Sequence, residues 1–212
     1  MDKGLATTGG ACFLFTRVQQ YYSRRFREAM QIYIAEFPAI SRLPVTRVRH
    51  LLGIGRYQLF VAQDQDTGRV LALALIWVCI RPACVHLDYI AVRQEWKGRG
   101  IGTAFYRWLV KHMEDLSPRA QLLTLEVEDD LVGFYRRSQT RVLKNVPYLF
   151  PGPRGPIPMH LMVYDRQGRK TLSRAIVQGL IRALYWGIHN RGADDAVLRS
   201  FISRVPPQVS LV

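Results

Sequence analysis

Apolar residues fall into short runs along this chain, and their period switches between two and the helical repeat. Residues 11–18 form an apolar stretch of strand length. From 21 to 36 the period is helical, with Phe26, Ala29, Met30, Tyr33 and then Phe37 on one side. Pro38 and Pro44 interrupt the chain, and residues 45–52 predict a short second helix that stops at Gly53 and Gly55. Residues 56–63 read as a strand. The polar turn Asp64-Gln65-Asp66-Thr67-Gly68-Arg69 separates it from the apolar run 70–80, so residues 57–62 and 70–80 are expected to pair as an antiparallel hairpin. Another turn at Arg81-Pro82 leads into a strand over 85–92.

The period then changes. Over 101–115, Ile101, Phe105, Trp108, Leu109 and Met113 recur at helical spacing, while Arg107, Lys111 and Asp115 take the polar side. Strand 122–127, a short helix over 131–137 and a last strand over 158–165 follow, with a further strand within 142–150 also allowed by the pattern. Strands and helices in this order predict an α/β fold with a mixed sheet. Beyond residue 165 the character shifts: residues 166–212 hold eight basic residues against Asp194 and Asp195 alone, in two expected helices, 171–189 and 193–205. In the first of these, Leu172, Ile176, Leu180, Ala183, Leu184 and Ile188 make a broad apolar face beside the polar stripe Arg174, Gln178 and Arg182. Such a face suits docking on the chain's own domain, a homodimer contact, a lid over an acyl chain, or a membrane surface.

Composition narrows the class. With 212 residues and 49% hydrophobic content the chain buries a sizeable core without staples, and one domain with an appendage is expected. The longest apolar run, 70–80, is about half of what a bilayer span needs, so it reads as a buried strand. No signal-peptide pattern opens the chain, and a cytoplasmic protein is expected. Cys12, Cys79 and Cys84 form no C-x-x-C pair, which predicts buried free thiols, with no disulfide framework and no metal site. Thirty basic against sixteen acidic residues give a net charge of +14, which favours polyanionic partners: phosphorylated cofactors, acidic carrier proteins, nucleic acid or anionic lipid.

Lys97-Gly98-Arg99-Gly100-Ile101-Gly102-Thr103 sits between a strand and a helix, where unpaired backbone amides and the positive dipole end make an anion site. Glycines let the backbone approach a phosphate closely, and Lys97 and Arg99 add positive charge. The plain alternative is a tight turn that needs positive φ. A dinucleotide fingerprint fails, because Thr103 or Phe105 stands where its last glycine belongs. A nucleotide P-loop fails as well, since Gly102-Thr103 has no lysine between.

Leu87-Asp88-Tyr89-Ile90-Ala91-Val92, four further residues, and Lys97-Gly98-Arg99-Gly100-Ile101-Gly102 closely resemble motif A of the GCN5-related N-acetyltransferase (GNAT) superfamily, whose signature is [RQ]-x-x-G-x-[GA]. Lys97 stands where the family has Arg or Gln. The resemblance extends to Leu125-Glu126-Val127 and to Phe134-Tyr135, and departs after Arg137, where Ser138 to Arg141 replace the usual Gly-Phe. It implies the GNAT fold, a mixed, mostly antiparallel central sheet flanked by helices, over an acyltransferase domain 1–165, followed by a basic, amphipathic C-terminal helical extension, 166–212. It also implies acetyl-CoA or a longer acyl-CoA as co-substrate and an amine of a small molecule, peptide or protein as acceptor. By the same resemblance, the backbone of Ile90, Ala91 and Val92 lies along the pantetheine arm, and Lys97, Gly98, Arg99, Gly100, Ile101, Gly102 and Thr103 surround the pyrophosphate.

Acyl transfer to an amine needs a neutral nucleophile, a stabilised oxyanion and a proton for the leaving thiolate. Tyr135 matches the family's tyrosine near the sulfur and is the expected acid, unless it is an amphipathic core residue. Period two places His86, Asp88 and Ile90 on one strand face, which makes Asp88 the first expectation for the base and His86 the second; Glu126 is a third. Each has a structural alternative: Asp88 paired with an arginine, His86 satisfied in the core, Glu126 in an ion pair. Similar proteins shape the acceptor pocket with the two helices before the hairpin, which nominates Tyr33, Glu36, Phe37 and Arg42. Three further readings stay open: fatty-acyl transfer from long-chain acyl-CoA or an acyl carrier protein, modification of a peptide side chain, and a non-catalytic acyl-CoA-binding module. Nucleic-acid binding is disfavoured, because the basic residues carry no recognisable reading motif.

Overall fold

In a computed structural model of the chain, residues 4–8, 11–79 and 82–212 are described, and they fall into two compact units. The first comprises residues 1–78 and 87–116 and the second residues 79–86 and 117–212.

In the first unit the period-two runs become a meander. β1 (Gly4–Thr8) pairs antiparallel with β2 (Ala11–Val18). Helix α1 (Arg24–Glu36) starts at Ser23, whose Oγ accepts the Phe26 amide at 3.3 Å and satisfies one of the orphan donors of the first turn. After α2 (Val45–Gly53) the chain enters β3 (Tyr57–Asp64) and β4 (Val70–Cys79), the expected hairpin, with Leu59 opposite Leu75 and Phe60 opposite Ala74. Residues 70–77 of β4 are buried throughout, which is why the run shows no polar alternation. β5 (Cys84–Val92) follows, and the strand order here is β1-β2-β3-β4-β5. A 3-10 turn, Gln94–Trp96, then precedes α3 (Ile101–Lys111) and α4 (Met113–Leu116). The core of this unit is aromatic: Phe15 stacks on Phe105 with ring centroids 5.1 Å apart, and Trp108 lies 5.4 Å from Phe15 and 5.7 Å from Phe60.

The second unit contains β6 (Leu122–Val127), α5 (Asp129–Arg136), β7 (Arg141–Val142), β8 (Leu149–Gly152), β9 (Gly155–Pro158) and β10 (His160–Asp165). The first three residues of β5 run parallel to β6, Cys84 beside Leu122, Val85 beside Leu123 and His86 beside Thr124. β10 pairs antiparallel with both β6 and β7. One parallel pairing among antiparallel ones makes the mixed, mostly antiparallel sheet that the sequence predicts, with helices against it.

The last stretch of chain belongs to this unit. β11 (Thr171–Ser173) leads into α6 (Arg174–Gly187), followed by α7 (Ala196–Ile202) and β12 (Gln208–Ser210), which pairs with β11. Val177, Leu180, Ile181 and Leu184 of α6 are buried. Arg174 Nε donates to the Val205 carbonyl at 2.7 Å and Gln178 Nε2 to that of Ile202 at 2.9 Å, while Val142 and Val212 exchange two backbone hydrogen bonds.

Several boundaries differ from the sequence reading. α1 opens at Arg24, not residue 21, because Ser23 caps it. The helix expected over 101–115 breaks at His112, whose ring Nδ1 lies 2.8 Å from the Trp108 carbonyl beside its own backbone amide bond to that oxygen. α5 opens at Asp129 because Asp129 and Asp130 suit the positive end of the helix, although the apolar pattern begins only at Leu131. Residues 155–158 form a hairpin with β8 and do not join β10. Residues 171–173 are strand, not helix. The turn expected at Arg81-Pro82 falls partly outside the described residues, since Arg81 is not among them.

Candidate active site

In the first unit, the glycine turn follows β5 directly. Gly98 has φ 75° and Gly100 φ 78°, a left-handed conformation that side chains resist, so both positions need glycine. Gly100 caps α3 without any side-chain hydrogen bond, which leaves the first-turn amides of Ile101, Gly102 and Thr103 without an intrahelical acceptor. Buried Ile101 anchors the helix start, while Gly98, Arg99 and Gly100 are exposed. Amides that converge at a positive dipole end, beside exposed cations, fit a pyrophosphate. Arg99 lies over the Trp96 ring, 4.6 Å from its centroid. Lys97 pairs through Nζ with Glu36 at the end of α1, so the lysine is held at its own carboxylate and Glu36 is occupied.

Just before the turn on β5, Asp88 accepts a hydrogen bond from the Tyr57 hydroxyl at 2.5 Å. Burial pushes the Tyr57 phenol well up, and the negative Asp88 adds to the effect. Tyr33 and Phe37 each meet the Tyr89 ring edge-to-face next to it, with centroids 5.0 Å away, and are tilted against each other. The Tyr33 hydroxyl accepts from the Leu43 amide at 2.8 Å and donates to the Leu43 carbonyl at 3.2 Å, and burial pushes its pKa up to about 12. Nε of Arg42 is buried without a hydrogen-bond partner. Three of the four nominated acceptor residues, Tyr33, Phe37 and Arg42, therefore belong to one cluster with Asp88 in this unit. Ile90 and Val92 are half-buried and Ala91 is buried.

The second unit holds the other nominated residues. His86 is 1% exposed, with Nδ1 2.9 Å from Thr124 Oγ1 and Nε2 3.7 Å from Glu126 Oε2. Burial lowers its pKa to about 4, against an upward pull from Glu126, so the ring is neutral at pH 7. Glu126, also buried, accepts at Oε1 from the Tyr148 hydroxyl and faces His189 Nε2 at 2.8 Å. Burial alone would raise its carboxyl. His189 foremost, with His86 and Tyr148, outweighs that effect and holds it below the usual value. Tyr135 is buried in α5, with its ring edge-on to Phe134, and burial pushes its pKa up to about 12. Sequence reasoning missed Tyr148 and His189. They lie 22 and 63 residues from Glu126, and no local pattern links them to it.

Among the described residues, no group of three His, Cys, Asp or Glu is arranged to hold a metal ion, and no helix is long and apolar enough to cross a membrane. Cys79 and Cys84 are buried, whereas Cys12, expected to be buried as well, is half-buried. A curated relative, an uncharacterized protein of Dictyostelium discoideum, is 31% identical over 112 residues, which are 53% of this chain and 25% of that protein. The chain thus spans about a quarter of the length of the relative it matches. Among solved structures, a protein of the GNAT family from Bacteroides thetaiotaomicron superposes with a TM-score of 0.65 at 17% identity, over 81% of this chain and 96% of that one. The ribosomal-protein-S18-alanine N-acetyltransferase of Escherichia coli gives 0.53 at 18% identity, over 72% and 93%. Arabidopsis thaliana NAA60 in complex with acetyl-CoA gives 0.56 at 14% identity, over 74% and 99%. At these identities the likeness carries the fold. Residues 21–139 match the acetyltransferase (GNAT) family itself, from α1 through the glycine turn to the end of α5, and this chain is a member of that family.

Proposed function

We propose that the chain is an acyl-CoA-dependent N-acyltransferase that moves an acetyl group from coenzyme A to an amine. One observation carries the reading: the turn at 97–103, in a chain of the acetyltransferase family, combines two left-handed glycines with an uncapped helix start and an exposed arginine. In this reading the amides of Arg99 to Thr103 hold the pyrophosphate, and the backbone of Ile90 to Val92 lies along the pantetheine arm and supplies an oxyanion donor.

The amine must lose a proton before or as it attacks, and the thiolate must gain one. Tyr135 is the proposed donor to sulfur. Its raised pKa keeps the phenol protonated at every physiological pH, so it serves as a hydrogen-bond donor that gives up its proton only as another arrives. Asp88, half-buried among phenols, and Glu126 are the two carboxylates available in this reading to act on the amine, directly or through water. His86 is proposed to act only through its neighbours, because both ring nitrogens face other side chains.

The test is calorimetry and native mass spectrometry against acetyl-CoA and a series of longer acyl-CoAs, with Gly100→Trp as the control variant. Tight binding that the variant abolishes supports the reading, and the preferred chain length identifies the donor. Absence of binding to any thioester defeats it.

A further inference from the structure

Three polar side chains of the second unit, Tyr148, His189 and His86, converge on Glu126, and Thr124 stands behind His86. Tyr148 and His189 both act on Oε1, so that oxygen is saturated. Oε2 lies 3.7 Å from His86 Nε2, beyond hydrogen-bond reach. His86 Nδ1 is 2.9 Å from Thr124 Oγ1, which in turn is 3.4 Å from the Val85 carbonyl. With the Thr124 hydroxyl donating to Val85, His86 carries its hydrogen on Nδ1 and presents the bare Nε2 lone pair toward Oε2. Any proton that reaches Glu126 therefore lands on Oε2, opposite a waiting acceptor.

Docking of α6 does not require this charge. Val177, Leu180, Ile181 and Leu184 already bury the helix, and taking a carboxylate and two imidazoles out of water costs several kcal/mol unless their geometry compensates. The carboxylate side chain is 6% exposed and His189 8%. His189 lies just past α6, outside the residues 21–139 that match the family.

We infer that the C-terminal segment contributes a positioning residue to acyl transfer: His189, with Tyr148, fixes one oxygen of Glu126 so that the other receives the proton lost by the acceptor amine. This rests on the acyl-transfer reading and names Glu126, in place of Asp88, as the terminal proton acceptor. The step balances. The amine nitrogen bonds to the thioester carbonyl carbon, and the carbon–sulfur bond breaks with its electron pair on sulfur. Of the two protons that an ammonium acceptor gives up, one ends on sulfur and the other leaves through Glu126. The titratable and charged groups around the cluster are His86 from β5, Tyr148 from the segment before β8, and Tyr185 of α6, with Arg191 and Asp195 acting on Tyr185.

The experiment follows release of free CoA from acetyl-CoA, with spermidine, lysine and peptides bearing a free N-terminus as acceptors. The variants are His189→Ala, His189→Gln, Glu126→Gln and Asp88→Asn; Trp186→Ala, at an exposed position of the same helix, is the control. His189→Ala is expected to lower kcat by about a hundredfold, the usual worth of a positioned proton acceptor, while acetyl-CoA affinity holds within about twofold. Added imidazole restores part of the rate, and His189→Gln, which retains a donor, moves the acid limb of the kcat profile to higher pH. A His189→Ala protein that turns over normally per folded molecule overturns the inference, as does activity lost in Asp88→Asn but kept in Glu126→Gln; both leave the acyl-transfer reading standing. A wild-type protein that releases no CoA with any acceptor defeats that reading itself.

Discussion

Gly98 and Gly100 sit two residues apart in the same left-handed conformation, at φ 75° and 78°, yet only Gly100 opens α3. Replacing either with alanine forces a side chain into that region, at a cost of about 1–2 kcal/mol. A Cβ at Gly98 meets nothing within 4 Å, so conformational strain is its whole penalty. For a chain of this size that strain is a drop in Tm of roughly 2–8 °C. Affinity separates them. If the helix-start amides cradle a pyrophosphate, a displaced backbone at Gly100 loses at least one hydrogen bond to a charged group, worth about 1.5–3 kcal/mol. That is a factor of roughly 10–150 in Kd for acetyl-CoA, against less than about threefold for Gly98→Ala. Gly100→Asn adds a check, because asparagine tolerates the left-handed region and removes most of the strain while still adding a Cβ. Calorimetric titration with acetyl-CoA, paired with thermal unfolding of each variant, reads both quantities. Equal weakening by Gly98→Ala and Gly100→Ala, or none by either, would refute the assignment of the anion site to the start of α3.

Tyr135→Phe is expected to lower kcat by about 10²-fold with acetyl-CoA affinity unchanged, measured by CoA release and calorimetry; unchanged turnover would return Tyr135 to the core. His86 is neutral in the fold with a pKa near 4 and titrates near 6.5 when unfolded, so the unfolded chain binds more protons between those values. Stability is therefore complete above about pH 6.5 and falls as pH drops toward 4, by up to about 3 kcal/mol; His86→Asn flattens urea melts across that window, and an unchanged slope refutes the assignment. Asp165 is fully buried and takes hydrogen bonds from the Gln167 and Arg169 amides and from two nitrogens of the Arg169 guanidinium, at 2.8–3.1 Å. With Arg169 partly screened by solvent, Asp165→Asn should cost about 2 kcal/mol, or roughly 4–8 °C in Tm, without changing acetyl-CoA affinity.

The elements most legible in the sequence are those with a long period and punctuated ends. The β3–β4 hairpin announces itself through the polar turn at 64–69, and α3 through the apolar residues Ile101, Phe105, Trp108 and Leu109, which start just after a glycine run. Short pieces carry no such signal. β7 has two residues, β11 and β12 three each, and β9 reads Gly-Pro-Ile-Pro, so their pairing is set by tertiary context, not by propensity. The site divides in the same way. The glycine turn is a contiguous motif whose chemistry depends on backbone conformation, and it is readable residue by residue. The Asp88–Tyr57 and Glu126–His189 contacts join residues 31 and 63 apart, and such pairs become visible only once the strands are in register. Period two assigns alternate residues of β5 to faces, but it cannot say that His86 is sealed in the core while Asp88, two residues on, is half-buried.

The stacking of Arg99 on Trp96 beside the glycine turn also gives this protein an intrinsic optical reporter. Of its four tryptophans, Trp77 and Trp108 are buried and Trp186 is 73% exposed, while Trp96 combines partial exposure with a cation against its ring. An anion that draws the Arg99 guanidinium off the indole changes the polarity and quenching around that one ring. Emission from a chain with Trp186 replaced by phenylalanine then follows occupancy of the turn directly, without label or acceptor, and a stopped-flow trace would give the rate at which the nucleotide end arrives.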